Sequence, residues 1–149
     1  MRHALLASIV AFSFGAMLHA QDVRIKVLNG RNGRPVTNER VNVWVGDKPA
    51  ALGFGGKAGA QFFLPTGKDG VAVLHLGPVR PDLIEVLPDF YLACQRPRPV
   101  GSVPRYSIKE IITQGVATAN TCGKIEVSPK PGELIFFVRP RTLWERLRQ

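Results

Sequence analysis

Val23, Ile25 and Val27 alternate with Arg24 and Lys26. A period of two puts the apolar set on one face of a strand and the charged set on the other. Asn29-Gly30-Arg31-Asn32-Gly33 follows, and its two Asn-Gly dipeptides tolerate positive φ and let the chain reverse. Pro35 falls after this turn, outside any strand interior. Val41, Val43 and Val45 then repeat the alternation, with Asn42 and Trp44 on the opposite face. The stretch Val23–Val45 therefore reads as two strands joined by a turn, and β-branched side chains suit such a half-buried pleated surface.

The same signals recur downstream. Gly46–Ala60 is rich in Gly and Ala, has no usable period and reads as a long loop. Gln61–Leu64 is a short strand, and Asp69-Gly70 marks a tight turn into a strand over Val71–Leu76. There Ala72, Leu74 and Leu76 share one face, and Val71, Val73 and His75 share the other. Gly77–Asp82 is a turn, Leu83–Leu87 a strand, Pro88-Asp89 a break and Phe90–Cys94 a further strand. Gln95–Arg105 holds three prolines and three arginines, which excludes a helix or a central strand and predicts an extended exposed loop.

Tyr106–Ala119 is compatible with two readings. Ile108, Ile111 and Ile112 would form one face of a short helix, whereas the β-branched content favours a strand with a bend or bulge at Gly115. Lys124–Val127 reads as a strand, Pro129–Gly132 as a turn, and Leu134–Val138 as an apolar strand covered on both sides. Thr142–Gln149 suits a short amphipathic helix capped by Thr142, with Glu145 completing a capping box and Leu143 and Leu147 on one face. The pattern implies an all-β fold: one antiparallel sandwich of seven or eight strands with a short C-terminal helical tail.

The N-terminus changes the setting. Arg2 precedes an uncharged apolar run from Ala4 to Met17, and Ala20 is a small residue before a cut at Gln21, so residues 1–20 read as a signal peptide and 21–149 as the β-sandwich domain. The run is short for a membrane span, and no later stretch is long and apolar enough to provide one. The expectation is export to the periplasm or beyond. Cleavage would remove one base and no acid from a chain of net charge +9, and would leave His75 as the sole histidine. Cys94 and Cys122 would remain and, in an oxidising compartment, are expected to pair. That bridge closes a loop of roughly 28 residues, for about 3 to 4 kcal/mol in the chain-entropy account.

Gly33-Arg34-Pro35-Val36, Val41-Asn42-Val43 and Thr66–Val73 with its Asp69-Gly70 turn resemble the carboxypeptidase regulatory-like domains, which belong with the transthyretin-like and Cna-B-like sandwiches. Tyr91 stands where that pattern has a tyrosine-bearing strand. The resemblance covers Val23–Cys94 and leaves Asn120–Lys124 and Leu134–Pro140 outside it. It implies a transthyretin-like sandwich serving as a non-catalytic accessory or binding module, with no cofactor. The tyrosine-arginine-glycine-serine ending of the transthyretin-like hydrolases is missing, since the chain ends Leu147-Arg148-Gln149, and one histidine cannot supply the iron site of ring-cleaving dioxygenases of similar fold. For a Cna-B-type crosslink Lys26 would need an Asn or Asp in the last strand, and Leu134–Arg139 holds neither.

Other chemistry is thin. Gly53–Ala58 has a faint look of a phosphate loop, but Ala51 replaces the first glycine and Ala58 the magnesium-binding hydroxyl. His75 is a candidate general base, yet Ser102, Ser107 and Ser128 all lie outside a GxSxG turn. Asp69, Asp82 and Asp89 sit in turns beside Gly or Pro and are too scattered for calcium, so no metal site is expected.

Charge is the remaining feature. Arg96, Arg98 and Arg105 in the proline-rich loop and Arg139, Arg141, Arg146 and Arg148 at the C-terminus would form an anion-binding patch if the fold brings them to one end. Trp144 beside them would serve as an interfacial anchor or pack against the sandwich, and packing is the expectation. The functional expectation is an exported non-enzymatic module that binds a protein or glycan in the envelope or outside the cell. The alternatives are a polyanion binder for lipopolysaccharide, anionic lipid or acidic polysaccharide, and a transthyretin-like hydrolase. Nucleic acid is not an expected partner.

Overall fold

The computed structural model describes residues 22–46, 60–77, 81–95 and 104–147. The expected signal peptide, most of the 46–60 loop with its phosphate-loop look, and Arg96, Arg98, Ser102 and Arg148 lie outside these residues.

Two sheets face each other. The first has the order β4 (Val71–His75), β1 (Asp22–Asn29), β9 (Glu133–Pro140), β6 (Tyr91–Ala93), with β8 (Val116–Ala117) also pairing with β9. The second has the order β3 (Ala60–Pro65), β2 (Arg40–Val45), β5 (Leu83–Pro88), β7 (Arg105–Ser107). The alternation read from the sequence fixes the inner faces. Val23, Ile25, Val27, Ala72, Leu74, Leu76, Leu134, Phe136 and Val138 of the first sheet meet Val41, Val43, Ile84 and Val86 of the second in one buried core.

The sheets are not all antiparallel. β9 runs parallel to β1, with Ile25 opposite Leu134 and Val27 opposite Phe136, and parallel to β8. Parallel neighbours need a crossover and cover on both faces, and the chain supplies that cover for β9. Ile135 and Phe137 point away from the main core and are buried with Leu28 and Cys94 under Cys122, Ile125 and Val127. Lys124–Val127, expected as a strand, is therefore irregular chain laid across the outside of the sheet, where its alternating apolar residues pack by side chain without ladder hydrogen bonds.

This covering segment is tied down at several points. Cys94 and Cys122 form a disulfide with a Cα–Cα distance of 5.3 Å. The Asn120 side-chain amide donates to the carbonyls of Gly30 (2.8 Å) and Ile125 (3.0 Å), and the Phe137 amide donates to Thr118 Oγ1 (3.2 Å). Gly30 is required by the close approach: a Cβ there would lie 2.5 Å from Asn120 Oδ1 and 2.8 Å from Cys94 Sγ.

The ambiguous stretch after Tyr106 is mainly helical, so the strand preference is corrected. The helix α1 (Ile108–Gln114) starts at Ser107, whose hydroxyl accepts from the Glu110 amide. It buries Ile108 and Ile111 in the main core, so tertiary burial outweighs the low helix propensity of isoleucine. Gly115 is its C-cap at φ 79°, and any side chain there would overlap the Lys130 carbonyl. The chain ends in α2 (Leu143–Leu147), with the expected capping box: the Thr142 amide donates to Glu145 Oε2 (2.8 Å) and the Glu145 amide donates to Thr142 Oγ1 (3.4 Å).

Candidate ligand-binding site

The most organised polar structure lies where β2 begins and β5 turns into β6. Glu39 precedes β2 and is 1% exposed. Its Oε1 accepts the backbone amides of Asp89 (2.8 Å), Phe90 (2.9 Å) and Tyr91 (3.3 Å). Thr66 holds Glu39 from the other side: its hydroxyl accepts the Glu39 amide (3.0 Å) and donates to the Val36 carbonyl (2.8 Å). One buried carboxylate oxygen thus fixes the backbone of the whole turn, while Glu39 Oε2 is buried with no hydrogen-bond partner among the described residues.

Above this anchor the side chains point outward. Arg40 donates from Nε to Asp89 Oδ2 (2.6 Å) and forms an ion pair with the same oxygen through Nη2. Its guanidinium carbon lies 5.4 Å from the Phe63 ring centre and 5.7 Å from that of Phe90. Both rings are more than half exposed. The result is a cation held between two aromatic rings at the surface.

Beside this stack is an open cleft of about 420 Å³ lined by Asp89, Phe90, Tyr91, Pro140, Arg141 and Arg146. The pairing of Tyr91 with Pro140 sets its floor. Arg141 donates from Nη2 to the Asp89 carbonyl (3.2 Å), whereas its Nε is buried and has no hydrogen-bond partner among the described residues. Arg139 makes a two-pronged contact with Glu145, at 2.8 and 2.6 Å. The hydrogen bonds from Arg139 first, then from the Thr142 amide, hold the Glu145 carboxyl far below the usual carboxylate range, and the same contact raises the Arg139 guanidinium further.

The expected arginine patch is distributed differently. Arg141 and Arg146 share the cleft, and Arg139 lies next to them with its charge taken by Glu145. Arg105 sits in β7 opposite Glu85 and pairs with that carboxylate at 2.9 Å. Glu85 on β5 is four residues before Asp89 in the turn that follows the strand, so Arg105 stands roughly 13 Å of chain away from the cleft. Trp144, expected to pack against the sandwich, is 73% exposed and does not. His75 lies at the exposed end of β4 with Nδ1 2.8 Å from Asp22 Oδ1. Of the serines among the described residues, Ser107 caps α1 and Ser128 is exposed. No group of three or more His, Cys, Asp or Glu that would hold a metal occurs among the described residues, and no helix there is long and apolar enough to cross a membrane.

Compared with known proteins, the chain matches no family model, no curated protein and no solved structure.

Glu39, Arg40, Phe63 and Phe90 were not singled out by the sequence. Glu39 and Asp89 are 50 positions apart, and no spacing rule links a carboxylate to backbone amides at that distance. Asp89 beside Pro88 was legible as a turn residue, and Tyr91 through the resemblance alone.

Proposed function

We propose that this protein is an exported, non-catalytic β-sandwich module that binds a protein or glycan of the envelope or the exterior, using the cleft between the Asp89–Tyr91 turn and Arg141. The observation that carries this reading is a cleft that holds Arg141 and Arg146 beside the exposed Phe90 ring. The guanidinium groups offer several N–H donors to a ligand's oxygens, while the ring offers a flat apolar face. The rigid turn beneath, held by Glu39, keeps these groups in place without a ligand, which lowers the entropic cost of binding. A disulfide between Cys94 and Cys122 is in keeping with export.

The resemblance to carboxypeptidase regulatory-like domains, and with it a transthyretin-like topology, belongs to the same reading. Its turn residues Gly33, Asp69 and Gly70 stand at chain reversals, with Gly33 and Gly70 at positive φ, and Tyr91 lies in the cleft. Polyanion binding through Arg141 and Arg146 is the second reading. Arg105 and Arg139 add little to it because carboxylates already occupy them.

The test is capture from a cell-envelope extract by the oxidised protein at low and high salt. A stoichiometric protein or glycan retained at high salt supports the first reading. Material released by salt supports the second. Capture of nothing in either condition contradicts both.

A further inference from the structure

α2 is docked by its polar side. Glu145 faces the sandwich, bound by Arg139 and Thr142. At 100° per residue, Leu143 and Leu147 lie on the opposite side of the helix, and Trp144 lies beside them. Their exposures are 68%, 69% and 73%, so all three project away from the protein. An ordinary amphipathic helix buries its apolar stripe; this one is turned inside out. The capping box and the Arg139 contact hold the apolar face outward.

The size and charge of this face select its occupant. Three side chains at these exposures offer on the order of 400 Å², about half of what one partner contributes to a standard protein interface. A second copy of the chain meeting it face to face would bury too little. Arg146 flanks it on the same short helix, Arg148 follows in sequence, and the chain carries a net charge of +9. Indole and leucine side chains with adjacent arginines are the composition of interfacial membrane anchors, in which the rings enter the headgroup boundary and the cations meet anionic headgroups.

We propose that the Leu143–Trp144–Leu147 face of α2, flanked by Arg146, seats the protein on a lipid surface bearing anionic headgroups. Arg146 is shared with the cleft, but the apolar lipid-facing side chains are those opposite Glu145, so the serine variant reads this face and leaves the cleft lining unchanged. A protein seated in this way would present the cleft close to the membrane.

The experiment uses the full oxidised chain with Trp44→Phe, so that Trp144 is the only tryptophan, and vesicles of phosphatidylcholine with or without phosphatidylglycerol. Trp144 emission should shift to the blue and be quenched by brominated lipids when phosphatidylglycerol is present. Arg146→Ala should weaken partitioning about fivefold. Because Trp44→Phe would perturb β2, vesicle sedimentation of Leu143→Ser/Leu147→Ser is compared with the parent in the Trp44 background. The apolar run of residues 4–17 is common to both proteins, so their difference reads α2 alone, and binding should fall at least tenfold. Unchanged Trp144 emission with equal sedimentation of the two proteins overturns the proposal. So does equal binding to vesicles without phosphatidylglycerol, or self-association of the parent that the serine variant loses.

Discussion

The Glu39 carboxylate lies 2.8 Å from the amide nitrogen of Asp89 and is closed off from water. Through this contact the start of β2 determines the shape of the turn between β5 and β6, and hence the position of every cleft residue on that turn. Removing the acceptor leaves three backbone donors to find other partners. Glu39→Ala should therefore cost about 1–3 kcal/mol of stability, with amide exchange accelerated most at Asp89, Phe90 and Tyr91. Exchange unchanged at those three amides would show that the turn is held by something else.

Arg40 between Phe63 and Phe90 is predicted to contribute modestly. The pair with Asp89 is half exposed, and exposed pairs are worth about 1 kcal/mol or less. The aromatic contacts add about 0.5–1 kcal/mol at such a site. A double-mutant cycle of Arg40→Met and Phe90→Leu, read by denaturant unfolding, should give a coupling energy in that range. A coupling near zero would mean that the rings merely neighbour the guanidinium.

The disulfide should matter more than any surface pair. Cys94 and Cys122 are 28 positions apart and hold the covering segment over Ile135 and Phe137. Cys94→Ser/Cys122→Ser should lower stability by about 3–4 kcal/mol and increase exchange in residues 118–127 before the sandwich core. Loss of the core first would contradict the arrangement. Gly30→Ala should act in the same direction, since its Cβ would press on Asn120 and Cys94.

The Arg139–Glu145 contact predicts a particular pH response. The folded-state pKa of Glu145 is depressed, so its contribution is fully present above the unfolded value, about 4.3 for glutamate. It is lost progressively as pH falls below that value toward the folded one. Carboxyl-detected NMR should find Glu145 titrating below the ordinary glutamate value, and Glu145→Gln should release α2 at neutral pH. Titration of Glu145 near the ordinary value would contradict the two-pronged contact.

Strands with one buried face were legible because their alternation is local. Val23–Val27 and Val41–Val45 needed no knowledge of their partners. Leu134–Val138 announced cover on both faces, and the parallel pairing with β1 follows from the chain reaching β9 by a long crossover, which no local pattern encodes. Ile125 and Val127 alternate as a strand would, but they serve as a lid on a sheet, and alternation cannot separate the two uses. Ile108 and Ile111 suit both a helix and a strand, and only the core they enter decides. The site was the least legible part. It is assembled from Glu39, Phe63, Asp89 and Arg141, drawn from four separate places in the chain.

The cleft lined by Arg141 is proposed to bind a protein or glycan ligand. It is tested most directly by repeating the envelope capture with Arg141→Gln and Phe90→Ser variants whose melting temperatures match the parent. The parent should retain a protein or glycan at high salt, and both variants should lose it. Equal capture by the parent and by both folded variants would contradict it.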